Sequence, residues 1–233
     1  MVDKANIAAD TIKNNYDCCV AYYDEHLLEI SIEQRRLLGE FEPALQNDEF
    51  VMYLQPQVKR DGAAKGAEAL VRWVHPSRGI LTPYAFIDIL ENAGLIYKLD
   101  LYIWEKAAQK LAEWKEKGYG SYHISVNIST KDFYIIDIYE TFTGLINKYG
   151  IAASNLHLEI TETTLMTDFE KNMNIIHKLQ GVGFRVEIDD FGSGYSSLNM
   201  LKDISADVLK IDMGFLRKSE NEVKGQDILE SII

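Results

Sequence analysis

The stretch F-R-V-E-I-D-D-F-G-S-G at residues 184–194 decides the fold, because it joins an apolar strand to two carboxylates and a glycine-containing loop. The apolar run over 184–188 predicts a half-buried strand, and Asp189 and Asp190 follow it directly. A carboxylate in such a place is costly to desolvate unless a cation pairs with it. The stretch therefore predicts a strand end that faces a cationic partner.

The same arrangement returns near the ends of other predicted strands. Glu68 lies in A-E-A-L-V-R-W, Asn127 in Y-H-I-S-V-N-I-S, and Glu159 in L-H-L-E-I-T-E-T. Lys210, in V-L-K-I-D, adds a basic group to the set. Repetition on successive strands indicates one shared partner. Carboxylate and amide oxygens suit hard divalent ions such as Mg²⁺, Mn²⁺ or Ca²⁺, so a metal ion is the simplest candidate.

Strands and helices alternate from residue 49 onward. Apolar runs bounded by turn residues predict strands over 50–56, 64–73, 122–128, 156–160, 184–188 and 208–211. Amphipathic spacing predicts helices over 82–93, 99–117, 132–149, 168–180, 196–202 and from 224 onward. This alternation predicts an α/β fold with right-handed crossovers and a parallel sheet. The polar strand ends then share the edge at which a (β/α) barrel places its active site.

Residues 1–40 follow a different pattern. Their spacing predicts a helix over 2–13, a strand-like run over 20–23 and the start of a charged amphipathic helix over 31–45. We interpret this segment as a lead-in to the domain that follows.

Composition excludes several classes of function. With 233 residues, 47% hydrophobic, 26% charged and a net charge of −12, the chain resembles a folded soluble domain without the basic face that a nucleic-acid polymer requires. No run approaches the ~18 apolar residues of a membrane span, and the first residues do not resemble a signal peptide. Adjacent Cys18 and Cys19 predict reduced thiols in the cytoplasm. We expect no membrane contact within this chain.

Six ordered motifs resemble the EAL domain, the bacterial phosphodiesterase that hydrolyses the second messenger cyclic di-GMP. They are L-Q-P-Q (54–57), E-A-L-V-R-W (68–73), S-V-N-I-S (125–129), E-I-T-E-T (159–163), I-D-D-F-G-S-G-Y-S-S-L (188–198) and L-K-I-D (209–212). The resemblance implies a TIM-type (β/α) barrel of the EAL kind over 41–233. It also implies metal-dependent hydrolysis of cyclic di-GMP to linear pGpG. Residues 1–40 resemble the tail of a GGDEF domain, but that domain's signature is absent and no cyclase is predicted.

The resemblance implies a metal site with the residues singled out above. Glu68, Asn127, Glu159 and Asp189 would bind a first Mg²⁺ or Mn²⁺ ion, and Asp190 would help to hold a second. Two divalent ions about 4 Å apart can lower the pKa of a bound water and neutralise the charge that develops on a phosphodiester.

The resemblance also assigns catalytic and substrate contacts. Lys210 would contact the attacking water or the phosphate, and would act together with Glu68 and Asp189. Gln55 and Arg72 would contact the substrate, because their positions match substrate-binding positions of the family. A guanidinium offers a two-pronged hydrogen-bond donor that suits a phosphate oxygen pair.

Two further acids match supporting positions in the family. Glu162 would hold the loop over 190–197 in place. Asp212, which follows the catalytic lysine closely, would lie near the metal or behind its ligands.

Several of these residues also have purely structural interpretations. Glu68 could form an ion pair with a nearby arginine, and Asp190 could close a turn with its own backbone. His75, in W-V-H-P, is predicted to be solvated in a turn. His123 and His157 lie in predicted strands with apolar neighbours, and are predicted to be hydrogen-bonded core histidines.

The chain departs from the family pattern after the sixth predicted strand. A strand with a glutamate in E-G-V-E-T and a last strand with a Q-G signature have no match in this sequence. We therefore expect an incomplete barrel whose open edges favour pairing with a second copy, giving a homodimer. The absent glutamate is a candidate general base, whose loss costs roughly 10²–10⁴-fold in rate, so we expect this chain alone to hydrolyse slowly or not at all.

An alternative interpretation is a receptor that binds cyclic di-GMP without cleaving it. Such receptors generally lack one or more of the metal-binding acids, and all those acids are present between residues 40 and 212. This favours the enzyme. A different metal-dependent (β/α) barrel, acting on a sugar or a carboxylate, is a further alternative.

Overall fold

The chain folds around one mostly parallel sheet, which confirms the predicted α/β class. The computed structural model describes residues 2–10, 12, 20–192 and 205–212. Within them, six strands lie in the order β1-β2-β4-β5-β6-β7, with a seventh, β3, paired to β2. The strands are β1 Phe50–Val58, β2 Ala64–His75, β3 Gly79–Leu81, β4 His123–Ile128, β5 Leu156–Thr161, β6 Arg185–Phe191 and β7 Val208–Ile211. This order is consistent with a TIM-type barrel.

The helices follow the strands as the sequence pattern predicts. They are α1 Val2–Asp10, α2 Glu25–Gln46, α3 Ile87–Asn92, α4 Ile96–Glu116, α5 Asp132–Ile135, α6 Ile138–Tyr149, α7 Glu162–Thr167 and α8 Phe169–Val182, with short 3₁₀ turns at Pro83–Ala85 and Ala153–Asn155. In the described ranges, none of these helices combines the length and the hydropathy that crossing a bilayer requires.

The chain divides into two compact units, residues 1–51 with 72–93, and residues 52–71 with 94–233. The first unit has an aromatic core in which Phe50 packs against Phe41, Trp73 and Phe86 with ring centroids 4.8–5.6 Å apart. The buried Trp73 indole N–H donates a hydrogen bond to a carboxylate oxygen of Glu49 at 2.9 Å, which satisfies its polar end.

His75 corrects a prediction in this first unit. The sequence context suggested a solvated turn, yet the side chain is only 7% exposed and its Nε2 lies 2.9 Å from Glu40 Oε2. The strand β2 continues through His75, and β3 pairs with it in an antiparallel register that was not predicted. Pairing carries the histidine into the first unit's core, where the carboxylate of Glu40 partners its ring.

The second unit is built on β4, β5 and β6, which pair in parallel and are mostly buried. Their apolar residues recur with period two, so one face of each strand is apolar and the other carries polar side chains. The long helix α4 packs on β4 through an apolar stripe that includes Leu99, Trp104 and Leu111. The Trp104 indole N–H donates to the Asn127 carbonyl oxygen at 2.9 Å, fixing helix and strand together near the polar strand end.

Local capping moved several predicted boundaries. The helix expected over 31–45 begins at Glu25, because Asp24 accepts a hydrogen bond from the Leu27 N–H at 2.8 Å. The run over 20–23 forms no strand. The helix expected over 132–149 is two helices, since Ile136 is extended and Asp137 caps a new start. The predicted helices over 196–202 and from 224 onward lie outside the described residues.

Candidate metal centre

Three acidic side chains from three different strands meet at one point. Carboxylate oxygens of Glu68 on β2, Glu159 on β5 and Asp189 on β6 lie within 4.8 Å of one another. We call these three residues the carboxylate cluster. Parallel pairing of β5 with β6 places Thr161 beside Asp189, and Glu159 lies two residues before Thr161 on the same face. Acids near the ends of neighbouring strands therefore come together. Such strand ends are where (β/α) barrels and doubly wound sheets bind ligands.

Lys210 on β7 lies among the three acids. Its Nζ is 2.7 Å from Glu159 Oε2, 3.0 Å from Glu68 Oε2 and 3.5 Å from Asp189 Oδ2. Burial disfavours the charged amine, but the acids, led by Glu159, outweigh it and raise the pKa of Lys210 above its usual value. The ammonium is therefore firmly charged and stabilises the carboxylate cluster.

Glu159 is the most deeply buried member of the carboxylate cluster, with a side chain that is 0% exposed. Burial raises the pKa of Glu159 to about 8; the positive charge of Lys210 opposes this shift and the negative charge of Glu68 adds to it. Its Oε2 is buried and, among the described residues, accepts no hydrogen bond of good geometry. A metal ion that bound here would give that oxygen a ligand bond in addition to its ion pair with Lys210, and would displace the proton.

The donor set fits a hard divalent ion. When all are ionised, three carboxylates around one ammonium leave a net charge of −2. All of the carboxylate cluster's ligand atoms are oxygens, which favours Mg²⁺, Mn²⁺ or Ca²⁺ over thiolate-seeking metals. The arrangement can thus hold a metal ion, with Lys210 as a neighbouring positive group.

The other two predicted metal ligands lie beside the carboxylate cluster rather than in it. Asn127 pairs in register with Glu159 across β4 and β5, and its side chain is exposed. Asp190 is exposed too, has a left-handed φ of 54° and donates its N–H to Asp189 Oδ1 at 2.9 Å. The pairing of β6 with β7 shifts register at this point, which redirects the side chains that follow Asp189. Burial and then the Asp189 charge raise the pKa of Asp190 above its ordinary value.

The predicted supporting acid Glu162 contacts the loop it was expected to hold. It is the first residue of α7, is buried, and accepts a hydrogen bond from the Gly192 N–H at 2.8 Å. Gly192 has a φ of 91°, a backbone conformation that favours glycine. Beyond Gly192, the predicted loop over 190–197 lies outside the described residues.

The remaining predicted residues have separate positions. Asp212 follows β7 and donates its N–H to the Phe191 carbonyl oxygen at 3.1 Å. Gln55 lies on β1 with an exposed side chain, in the second unit. Arg72 lies on β2 within the first unit and is half-buried.

Sequence reasoning missed a second polar group, which lies on β1, β4, β5 and β6. It consists of Gln57, His123, Ser125, His157 and Glu187, and we call it the polar layer. His157 and Glu187 each precede a member of the carboxylate cluster by two residues, so the strand alternation places them on the same face. That i, i+2 spacing was the signal that could have revealed them.

The histidines of the polar layer are hydrogen-bonded and stacked, in agreement with the prediction of core histidines. His157 Nδ1 lies 2.5 Å from Glu187 Oε1, and His123 Nε2 lies 2.7 Å from Gln57 Oε1. The two imidazole rings stack at 3.8 Å with planes 2° apart. Burial, followed by the charge on His157, lowers the pKa of His123 to about 4.

The sequence matches the EAL domain over residues 39–233. The chain belongs to the EAL domain family. It is 32% identical over 227 residues, 97% of its length, to the bifunctional diguanylate cyclase/cyclic di-GMP phosphodiesterase MucR of Pseudomonas aeruginosa. It is 31% identical over 190 residues, 82% of its length, to the cyclic di-GMP phosphodiesterase PdeR of Escherichia coli K12. The matched regions are 33% and 29% of those relatives, so the chain spans about a third of their length.

Solved structures agree with the family assignment. The PaMucR phosphodiesterase in complex with c-di-GMP matches with a TM-score of 0.77 and 33% identity, covering 84% of this chain and 80% of that one. The EAL enzyme Bd1971, bound to cAMP and cyclic di-GMP, matches with a TM-score of 0.76 and 29% identity, covering 87% of this chain and 56% of that one. The resemblance stated from the six motifs is confirmed.

Proposed function

We propose that this EAL domain is a metal-dependent phosphodiesterase that hydrolyses cyclic di-GMP to linear pGpG. One observation carries the proposal: carboxylates from three strands converge within 4.8 Å around the Lys210 ammonium. Relatives named as cyclic di-GMP phosphodiesterases support the same reaction, and a structural relative contains c-di-GMP. A cyclic dinucleotide is a phosphodiester, whose hydrolysis needs the positive charge and the activated water that such a centre can provide.

The proposed cofactor is Mg²⁺ or Mn²⁺, as two ions. The carboxylate cluster, with Asn127 beside it, would hold the first, and Asp190 with Asp189 would help to hold the second. Bound divalent ions would lower the pKa of a water and polarise the phosphoryl oxygens.

The chain's own groups have separable tasks in this proposal. Lys210, held within 3.5 Å of all three acids, places a positive charge where the phosphate oxygens would gather negative charge. Arg72 would donate to phosphate oxygens, and Gln55 would contact the substrate through its exposed amide. Glu162 would keep the loop after Asp190 in position through its bond to the Gly192 N–H.

Further parts of the proposal rest on the sequence. We propose that residues 41–233 are the EAL domain and that residues 1–40 lead into it, with a likeness to a GGDEF tail. A homodimer, a cytoplasmic location and slow hydrolysis by this chain alone stay predictions. Asp212 stays a predicted supporting residue.

The test is product formation from cyclic di-GMP by the purified chain with Mn²⁺ or Mg²⁺, followed by chromatography. Glu68→Gln preserves shape and removes a ligand charge, and the exposed Glu116→Gln on α4 is the matched control. We expect slow pGpG formation by the wild type and by Glu116→Gln, and at least a ~10²-fold slower reaction by Glu68→Gln.

Two other outcomes would change the proposal. Calorimetric binding of cyclic di-GMP without any product would favour the non-catalytic receptor. An equal rate for wild type and Glu68→Gln would show that the carboxylate cluster is not the catalytic centre.

A further inference from the structure

We propose that Gln57 is a positioning residue that fixes the rotation of the Glu159 carboxylate, and that His123 in turn holds Gln57. This inference deepens the proposed function and rests on it, because its purpose is to present Glu159 to a metal ion. It concerns the polar layer, to whose residues the motif comparison assigned no role.

The contacts of Gln57 connect the polar layer to the carboxylate cluster. From β1, its Nε2 lies 3.3 Å from Ser125 Oγ and 3.5 Å from Glu159 Oε1, while its Oε1 lies 2.7 Å from His123 Nε2. The two longer bonds are shared by one amide group. A single side chain therefore bridges a buried histidine to a buried acid.

The orientation of the Gln57 amide follows from hydrogen-bonding capacity. The amide NH₂ faces Glu159 and the amide oxygen faces His123, an orientation that suits the ionised carboxylate a bound metal ion would require, because that group only accepts hydrogen bonds. His123 then carries its proton on Nε2 and donates to Gln57. The two hydrogen bonds therefore have a fixed donor order: His123 donates to Gln57, and Gln57 donates to Glu159.

The His123 ring has little freedom to move away from Gln57. It stacks on His157 at 3.8 Å, and Gly66 lies beneath it. A Cβ atom at Gly66 would lie 2.5–2.6 Å from three atoms of the ring, so a larger residue would displace the ring. A fixed donor at His123 makes Gln57 a fixed donor to Glu159.

The polar layer is not itself a second metal site, although His123, His157 and Glu187 lie close together. The lone pair of an imidazole nitrogen lies in the plane of its ring. Two rings stacked with planes 2° apart direct their lone pairs along parallel planes, which do not converge on one ion. The hydrogen bonds described above already use these groups.

The consequence concerns the two oxygens of Glu159. Gln57 engages Oε1, and Oε2 faces the Lys210 ammonium at 2.7 Å. The amide therefore selects which oxygen is presented to a cation in the carboxylate cluster. Groups that orient a metal ligand in this way typically contribute 10–100-fold to metal affinity.

The experiment measures Mn²⁺ binding to the metal-free chain by isothermal titration calorimetry. Gln57→Met keeps the length of the side chain and removes the amide. Gln109→Met is the matched control, because Gln109 is exposed on α4 and bonds only the Tyr149 hydroxyl in the described structure. We expect Gln57→Met to weaken Mn²⁺ binding by about 10-fold or more, and Gln109→Met to leave it unchanged.

A second variant keeps the test decisive if Gln57→Met folds poorly. His123→Phe preserves a flat ring for stacking and removes the donor to Gln57, and we expect a loss in the same direction of a few-fold. Thermal melting of each metal-free variant reports folding separately from metal affinity.

The outcomes separate this inference from the proposed function. Wild-type Mn²⁺ affinity in folded Gln57→Met or His123→Phe would overturn the positioning role. Mn²⁺ binding without hydrolysis by the wild type would overturn the proposed enzyme, and the variants' affinities would still decide the role of Gln57. A wild type that binds no Mn²⁺ would overturn both.

Discussion

The polar layer and the carboxylate cluster share one face of β5 and β6, but their charges are arranged differently. In the polar layer each histidine faces an acceptor, and Glu187 has His157 at 2.5 Å. In the carboxylate cluster three acids share the single ammonium of Lys210. The groups of the polar layer are paired with one another, whereas the carboxylate cluster has excess negative charge that a bound cation could neutralise. This difference in charge balance distinguishes the polar layer, which stabilises the fold, from the carboxylate cluster, which can bind a ligand.

The largest expected effect comes from unbalancing the polar layer. His157→Leu would leave Glu187, which is 3% exposed, without the imidazole partner that lies 2.5 Å from its Oε1. Removing one member of a buried pair costs about 3–5 kcal/mol of unfolding free energy. Urea unfolding followed by circular dichroism would measure it.

The double variant His157→Leu with Glu187→Leu sharpens this comparison. Replacing a whole buried pair by apolar residues is often neutral, so most of the lost stability should return. A single variant within 1 kcal/mol of wild type would show that the pair does not balance the polar layer.

Adding a cation to the carboxylate cluster should have the next largest effect. Mn²⁺ at 100 times its dissociation constant would stabilise the folded chain by about 2.7 kcal/mol. For a domain of this size that corresponds to a rise in melting temperature of roughly 5–10 °C. Differential scanning fluorimetry with and without chelator would measure the rise.

Glu159→Gln is the variant that checks where the ion acts. It removes a negative charge at the deepest point of the carboxylate cluster and should abolish most of the Mn²⁺-dependent rise. An equal rise in wild type and Glu159→Gln would place the stabilising ion elsewhere.

The smallest expected effect is a pH dependence that belongs to the polar layer. The pKa of His123 is lowered to about 4 from the ordinary 6.5 by burial and by His157. Between these values the unfolded chain binds more protons than the folded chain, so stability falls as the pH is lowered from 6.5 toward 4. The expected loss is about 1 kcal/mol for the first unit of pH below 6.5.

Melting curves of His123→Gln and wild type across this pH range would isolate the effect. The variant should lose part of the acid sensitivity, while His177→Gln, an exposed position on α8, should keep it. Parallel pH profiles for wild type and His123→Gln would contradict the prediction.

The sequence predicted helices and strands well where the residues of the element alone determine its structure. The parallel strands β4, β5 and β6 were found within three residues of their observed ends, because apolar alternation is a local signal. The break at Ile136 was missed, since a cap at Asp137 competes with continued amphipathic spacing. His75 was misjudged because its partner, Glu40, lies 35 residues away.

The sequence by itself determined the α/β order, the family and the polar residues near the strand ends. Tertiary structure alone decided which of them meet. Lys210 reaches Glu68 across 142 residues, and the approach depends on strand register, which local pattern does not encode. Tertiary structure also decided that His157 pairs with Glu187, because this contact forms only when β5 and β6 lie side by side.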